Sequence, residues 1–171
     1  MARYRIIPAQ SRVVIDATSS LHPIHTETDG LEGWLELEVL GGGRVNPAVE
    51  PKAHLELPVE QLRSGNRMED RELKRRLDSR RYPTISGDLR SMQETGKDGR
   101  YLVKGDVTFL GITRPSEDEM MISVEANETV RLKGSSVFDI RDFGMEPPKI
   151  LMLRVHPEVT VSVDVFAEKE V

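Results

Sequence analysis

Lys104-Gly105-Asp106-Val107-Thr108-Phe109-Leu110-Gly111-Ile112-Thr113-Arg114-Pro115 reads as an alternating strand that runs into a tight turn. Tyr101, Val103, Val107 and Phe109 fall on one face, and Leu102, Lys104, Asp106 and Thr108 on the other. Gly111 can take a positive φ, and Pro115 is expected to end the strand because it cannot donate to a ladder. A strand with one apolar face needs a partner to cover that face, so the rest of the chain must supply more strands of the same kind.

It does. Arg12 to Thr18 alternates with Val13, Ile15 and Ala17 on one side, and Leu31 to Val39 does so with Gly33, Leu35, Leu37 and Val39. Gly41-Gly42-Gly43 and Asn46-Pro47 then break the chain, and Ala53, Leu55, Leu57 and Val59 mark the next strand. Strands follow at Thr84 to Arg90, Arg100 to Leu110, Glu119 to Glu128 and Val130 to Ile140. Met120, Ile122, Val124 and Ala126 share a face, as do Leu132, Phe138 and Ile140. Near the C-terminus Val159, Val161, Val163 and Val165 alternate with polar residues.

Between Glu60 and Arg81 the period changes. Met68, Leu73 and Leu77 are spaced for a helix over about Met68 to Ser79, with acids early, arginines late, and Tyr82-Pro83 as its stop. The pattern predicts one domain over residues 1–171: a mainly β, eight-stranded antiparallel barrel or sandwich with one main helix. Eight strands enclose room for packed side chains or for one small ligand. The expected lining is the set of inward rows, chiefly Leu35, Leu37, Leu57, Val107, Phe109, Ile122, Val124, Phe138 and Val161. Burial at about 25 cal/mol per Å² lets such an aliphatic wall hold a hydrocarbon chain without polar specificity.

Composition narrows the function classes. Hydrophobic residues make up 37% and charged residues 31% of the 171 residues, and the net charge is −5, which disfavours a nucleic-acid partner. There is no cysteine, so disulfides, thiolate catalysis and cysteine-ligated metal are excluded. The N-terminal residues show no signal-peptide core, and no window reaches the roughly 18 apolar residues of a membrane span, which predicts a cytoplasmic protein, with a periplasmic mature form as the alternative. No Gly-x-Ser-x-Gly elbow, phosphate-binding glycine loop or dinucleotide fingerprint is present.

His22-Pro23-Ile24-His25 has the look of a metal pair, but residues three apart on a strand face opposite ways, so solvated loop histidines are expected and no metal or cofactor is assigned. No residue is assigned a catalytic role; were the barrel an enzyme, Asp106 or Asp139 would be the first carboxylates to examine. Arg63 to Arg81 holds eight basic against four acidic residues, a local charge of +4 in a chain of −5. Its arginines, among them Arg71, Arg75 and Arg76, suit either a solvated face laced with ion pairs or a rim meeting anionic headgroups. Trp34 lies opposite Leu35 and is expected on the outer face under the helix, or in the pocket if a bulge shifts the register.

Three stretches together resemble the YceI-like family of polyisoprenoid-binding, lipocalin-like proteins. They are Leu62-Arg63-Ser64-Gly65-Asn66 with Asp70, Leu73 and Tyr82-Pro83-Thr84-Ile85; the Gly105 to Pro115 hairpin; and Arg141-Asp142-Phe143-Gly144-Met145. The sequence departs from the family pattern at Glu69, where Arg is usual, and at Ser116, a position often apolar. The resemblance implies a lipocalin-like barrel with its helix near the mouth, carrying a long isoprenoid such as a quinone tail or polyprenyl chain. An enzyme acting on an amphipathic molecule in the same pocket and a packed barrel serving as an interaction module are the rival readings. The resemblance, with a strand edge expected near the chain ends, also suggests a symmetric homodimer.

Overall fold

The computed structural model describes residues 1–125, 127–150 and 152–171. Its strands are β1 (Ala2–Ile6), β2 (Arg12–Ser19), β3 (Ile24–Thr28), β4 (Glu32–Leu37), β5 (Val39–Leu40), β6 (Arg44–Val45), β7 (Lys52–Pro58), β8 (Thr84–Glu94), β9 (Arg100–Phe109), β10 (Ile112–Val124), β11 (Val130–Asp139), β12 (Lys149–Ile150) and β13 (Leu153–Lys169). Among the described residues one α-helix, α1 (Arg67–Arg76), joins β7 to β8. Ala126, which the alternation assigns to the inward row, lies outside the described residues.

Eight strands close an antiparallel barrel in the order β1-β4-β7-β8-β9-β10-β11-β13, and β13 pairs back to β1 through Tyr4↔Lys169 and Ile6↔Ala167. The hairpin β2–β3 continues the sheet from β13, and Glu27 of β3 bridges to Arg63. This arrangement corrects one expectation. The edge near the chain ends is not free, because β1 is paired on both sides, to β4 and to β13. The strand edge offered as one ground for a homodimer is therefore not available for pairing.

The barrel has two unlike ends. At the end holding the C-terminus of β13, Tyr4, Leu35, Leu37, Tyr101, Ile122, Val130, Val165 and Ala167 are each 3% exposed or less. The β5–β6 hairpin closes over this floor: Val45 is fully buried, its N–H donates to the Tyr101 hydroxyl (3.1 Å), and that hydroxyl donates to the Val45 carbonyl (3.3 Å). The opposite end is the mouth. There β7 ends, β8 begins, the β9–β10 hairpin turns and β11 passes into a short 3-10 turn, Ile140–Phe143. Phe109 meets Phe143 edge-on with centroids 5.6 Å apart, and Phe138 lies 6.4 Å from the same ring.

The deciding hairpin turns on two residues in left-handed backbone, Leu110 (φ 53°) and Gly111 (φ 74°), between the pair Phe109↔Ile112. Both central residues of such a turn need positive φ, and its twist matches the flanking strands. Pro115 does not end the strand as expected. It sits within β10 opposite Asp106. Its missing N–H is tolerated because β10 pairs with β11 only over Met121–Val124, so the mouth half of β10 is laddered to β9 alone.

The helix spans Arg67–Arg76, shorter than the expected Met68 to Ser79. Asn66 caps it, its side chain accepting from the N–H groups of Met68 (3.0 Å) and Glu69 (3.2 Å). Asp78 enters left-handed backbone (φ 48°) and ends the helix before Tyr82-Pro83 is reached. Leu77 is buried and Leu73 partly so, whereas Met68 is 66% exposed.

Candidate functional site

Strand register decides which side chains face the interior. Tyr4 opposes Leu35, Leu35 opposes Ala53, and Leu57 opposes Ile85; Gly87 opposes Val107 on β9, and Phe138 opposes Val159 on β13. All nine residues expected to line the interior therefore point inward. They divide into two sets. Leu35, Leu37, Leu57 and Ile122 are close-packed at 3–6% exposure. Val107, Phe109, Val124, Phe138 and Val161 keep part of their surface accessible although they face inward, and so do Val103 and Val163. Interiors packed to native density leave no such surface. Val124 lies at the floor end, opposite Val130 and beside the β5–β6 hairpin, and the other partly accessible inward residues line the mouth half.

Among the described residues the inward wall of the mouth half is mostly aliphatic, and its β10 row carries the carboxylate Asp118 and, nearer the rim, the exposed Arg114 opposite Val107. Asp118 opposes Val103 on β9, two residues along the same row from Met120, which opposes Tyr101. Its Oδ2 accepts from Ser136 Oγ of β11 (2.5 Å) and Ser116 Oγ (3.0 Å). Ser136 in turn opposes Val161 of β13. These three polar residues are absent from the expected lining. Their signal was present: the row Ile122, Met120 extends backward to Asp118 and Ser116, but only if β10 continues through Pro115.

The carboxylates singled out from sequence lie elsewhere. Asp106 is on the outer face opposite Asp88, 3.4 Å from Arg90 Nη1. Asp139 caps the 3-10 turn and pairs with Arg141 (Nη2–Oδ2 2.6 Å), whose hydrogen bonds hold its carboxyl below the usual carboxylate range. Trp34 is on the outer face, opposite His54, with the Arg3 guanidinium 4.4 Å above its ring rather than the helix. The four histidines lie outside the interior. The His22 ring contacts the Pro23 carbonyl, His25 lies between Asp16 (2.7 Å) and Glu27 (3.2 Å), and His156 meets Thr18. His54 sits between Asp88 (2.6 Å) and Glu56 (2.9 Å), whose hydrogen bonds, that of Glu56 foremost, raise its pKa above the ordinary value. Among the described residues no group of three His, Cys, Asp or Glu side chains is arranged to hold a metal.

On the helix, Arg75 and Arg76 share one carboxylate, Glu72, at 2.6 and 3.1 Å, and Arg76 also reaches the Lys149 carbonyl (3.4 Å). Arg71 is exposed and makes no ion pair among the described residues. No described helix is long and apolar enough to cross a membrane.

The family model for the YceI-like domain matches residues 4–167, nearly the whole of this closed barrel and its helix. The chain belongs to the YceI-like family. Solved structures share its fold at low identity. BcnA of Burkholderia cenocepacia superposes with a TM-score of 0.78 at 15% identity, covering 94% of this chain and 98% of that one. A polyisoprenoid-binding domain of Saccharophagus degradans, implicated in plant cell wall breakdown, gives 0.79 at 12% identity, covering 99% and 100%. The YceI protein of Campylobacter jejuni gives 0.66 at 9%, covering 86% and 85%. No curated protein sequence matches this YceI-like chain.

Proposed function

We propose that this protein binds a long apolar molecule of isoprenoid type inside the mouth half of the barrel and carries it without chemical change. The observation behind the reading is the partly accessible inward wall of Val103, Val107, Phe109, Phe138, Val161 and Val163 above a close-packed floor. A flexible hydrocarbon covering that wall gains roughly 25 cal/mol for each Å² removed from water. Leu35, Leu37 and Ile122 then act as the floor against which the chain stops. The isoprenoid class rests on family membership and on the Saccharophagus degradans relative. A carrier reading also suits the interior chemistry, since the inward carboxylate Asp118 has two hydroxyl partners and no histidine. In this reading α1 is the face that docks to an anionic membrane during loading.

Native mass spectrometry of protein purified from its host tests the reading directly. A noncovalent adduct of lipid mass is expected on the parent. Phe109→Asp sets an unpaired charge against hydrocarbon and is expected to abolish the adduct and lower stability. A folded Phe109→Asp protein with unchanged lipid uptake would place the cargo elsewhere.

A further inference from the structure

The interior of this barrel contains a carboxylate that the fold does not need. Inward positions of β9, β10, β11 and β13 around it are Val103, Met120, Gly134 and Val161, and an aliphatic residue at 118 would continue that wall. Instead Asp118 is inward, with Ser116 beside it on β10 and Ser136 facing it from β11. The two hydroxyls converge on one oxygen, Oδ2. Oδ1 makes no hydrogen bond to the protein, and Asp118 joins no ion pair, among the described residues.

A carboxylate accepts hydrogen bonds and donates none, and it has room for about four. Two are used, both on the same oxygen, so Oδ1 is left free as an acceptor. The hydroxyls also fix the carboxylate in place, because the ladder between β10 and β11 ends at Met121↔Lys133 and the Ser136–Asp118 contact carries the link toward the mouth. From Ile112 at the rim to Asp118 is about 20 Å of strand, a distance that the tilt of a barrel strand shortens along the axis.

We infer that Asp118, oriented by Ser116 and Ser136, is the head-group anchor of the interior site, and that the cargo is an apolar chain ending in a hydrogen-bond donor such as an alcohol. The inference rests on the binding reading above and narrows it. A donor head is drawn down to Oδ1 while the tail covers the wall between Val161 and Phe109. A phosphate or carboxylate head meets like charge there. A head that only accepts, such as an ester or a quinone carbonyl, leaves Oδ1 desolvated without a partner, which is costly.

The test uses one tail with three heads. The neutral fluorophore N-phenyl-1-naphthylamine is bound to the purified protein and displaced by farnesol, farnesyl acetate or farnesyl monophosphate. Farnesol is expected to displace it at roughly tenfold lower concentration than the acetate, the effect of one charge-assisted hydrogen bond, with the phosphate weakest. Asp118→Asn is nearly isosteric; with displacement referred to the fluorophore affinity measured for each protein, it should shrink the preference for farnesol over the acetate and lift the discrimination against the phosphate. Equal displacement by all three heads in the parent, or an unchanged preference in Asp118→Asn, would overturn the anchor and leave the binding reading standing. A parent that takes up neither the fluorophore nor any of the three would overturn both. If Asp118→Asn fails to fold, the ¹³C carboxyl resonance of Asp118 in the parent replaces it: a shift with farnesol and none with the acetate supports the anchor, and the same response to both overturns it.

Discussion

Asp106 and Asp118 are both strand carboxylates, yet one lies on the outer face beside Arg90 and the other faces the inside of a barrel. Parity separates them. Asp106 is an odd number of positions from Val107, and Asp118 an even number from Ile122, so a one-residue difference exchanges solvent for interior. His54 shows the same rule from the outside. Because Leu55 points inward, His54 points outward, between Glu56 on its own strand and Asp88 on β8, with Asp106 beyond Asp88. Those acceptors raise its pKa above the ordinary 6.5. A raised folded-state pKa gives stability that is fully present below the unfolded value and is lost as pH rises through the folded one. Thermal unfolding of the parent and His54→Gln should therefore differ most below the ordinary value of 6.5, and the gap should shrink as pH rises above it. A gap that does not change with pH would show the ring to be neutral in the folded protein.

Helix α1 owes its position to local chemistry at both ends, the Asn66 cap and the left-handed turn at Asp78. Ser64 adds a second tie, its hydroxyl and N–H both donating to Asp70 Oδ1 at 2.7 and 2.8 Å. Its exposed face carries cations of two kinds. Arg75 and Arg76 are partly neutralised by Glu72, whose carboxyl they hold below the usual range, while Arg71 is unpaired among the described residues. If α1 docks to membrane, each residue near an anionic surface contributes roughly 1 kcal/mol. Co-sedimentation with phosphatidylserine-containing vesicles should then fall roughly tenfold or more for the triple variant Arg71→Gln, Arg75→Gln, Arg76→Gln at low salt. Binding of the parent should fall as salt shortens the screening length to about 10 Å at 0.1 M. Equal sedimentation of the two proteins would leave α1 as a solvated cover. The single substitution Arg71→Gln should account for more of the loss than Arg75→Gln, since only the latter has a partner to release.

The molecule as a whole divides its apolar side chains between two tasks. The floor, with Leu35 and Leu37 at 3% exposure and Val45 and Val130 fully buried, stabilises the fold. The mouth half keeps its wall partly uncovered. Leu35→Ala should consequently cost about 2–5 kcal/mol, read as a lower unfolding midpoint in denaturant, because a cavity opens where neighbours cannot close in. The same variant, assayed under conditions where it is folded, should take up lipid as the parent does. Loss of uptake in folded Leu35→Ala would mean that the cargo reaches the floor.

Alternation, turn residues and caps act over two to four positions, and for that reason the chain alone was enough to specify most strands, the Leu110-Gly111 turn, the helix and the inward parity of all nine expected lining residues. Long-range pairing decided the rest. β1 reads as little more than Ala2, Tyr4 and Ile6 between arginines, and only its ladders to β4 and β13 make it the strand that closes the barrel. β3 carries buried Thr26 and Thr28 where an apolar row would have announced it. Pro115 stays in a strand because β11 is not paired beside it. That same incomplete pairing extends the inward row to Ser116 and Asp118. Which inward residues are filled in and which are left open depends on how eight strands curve around one axis, a property no local period encodes.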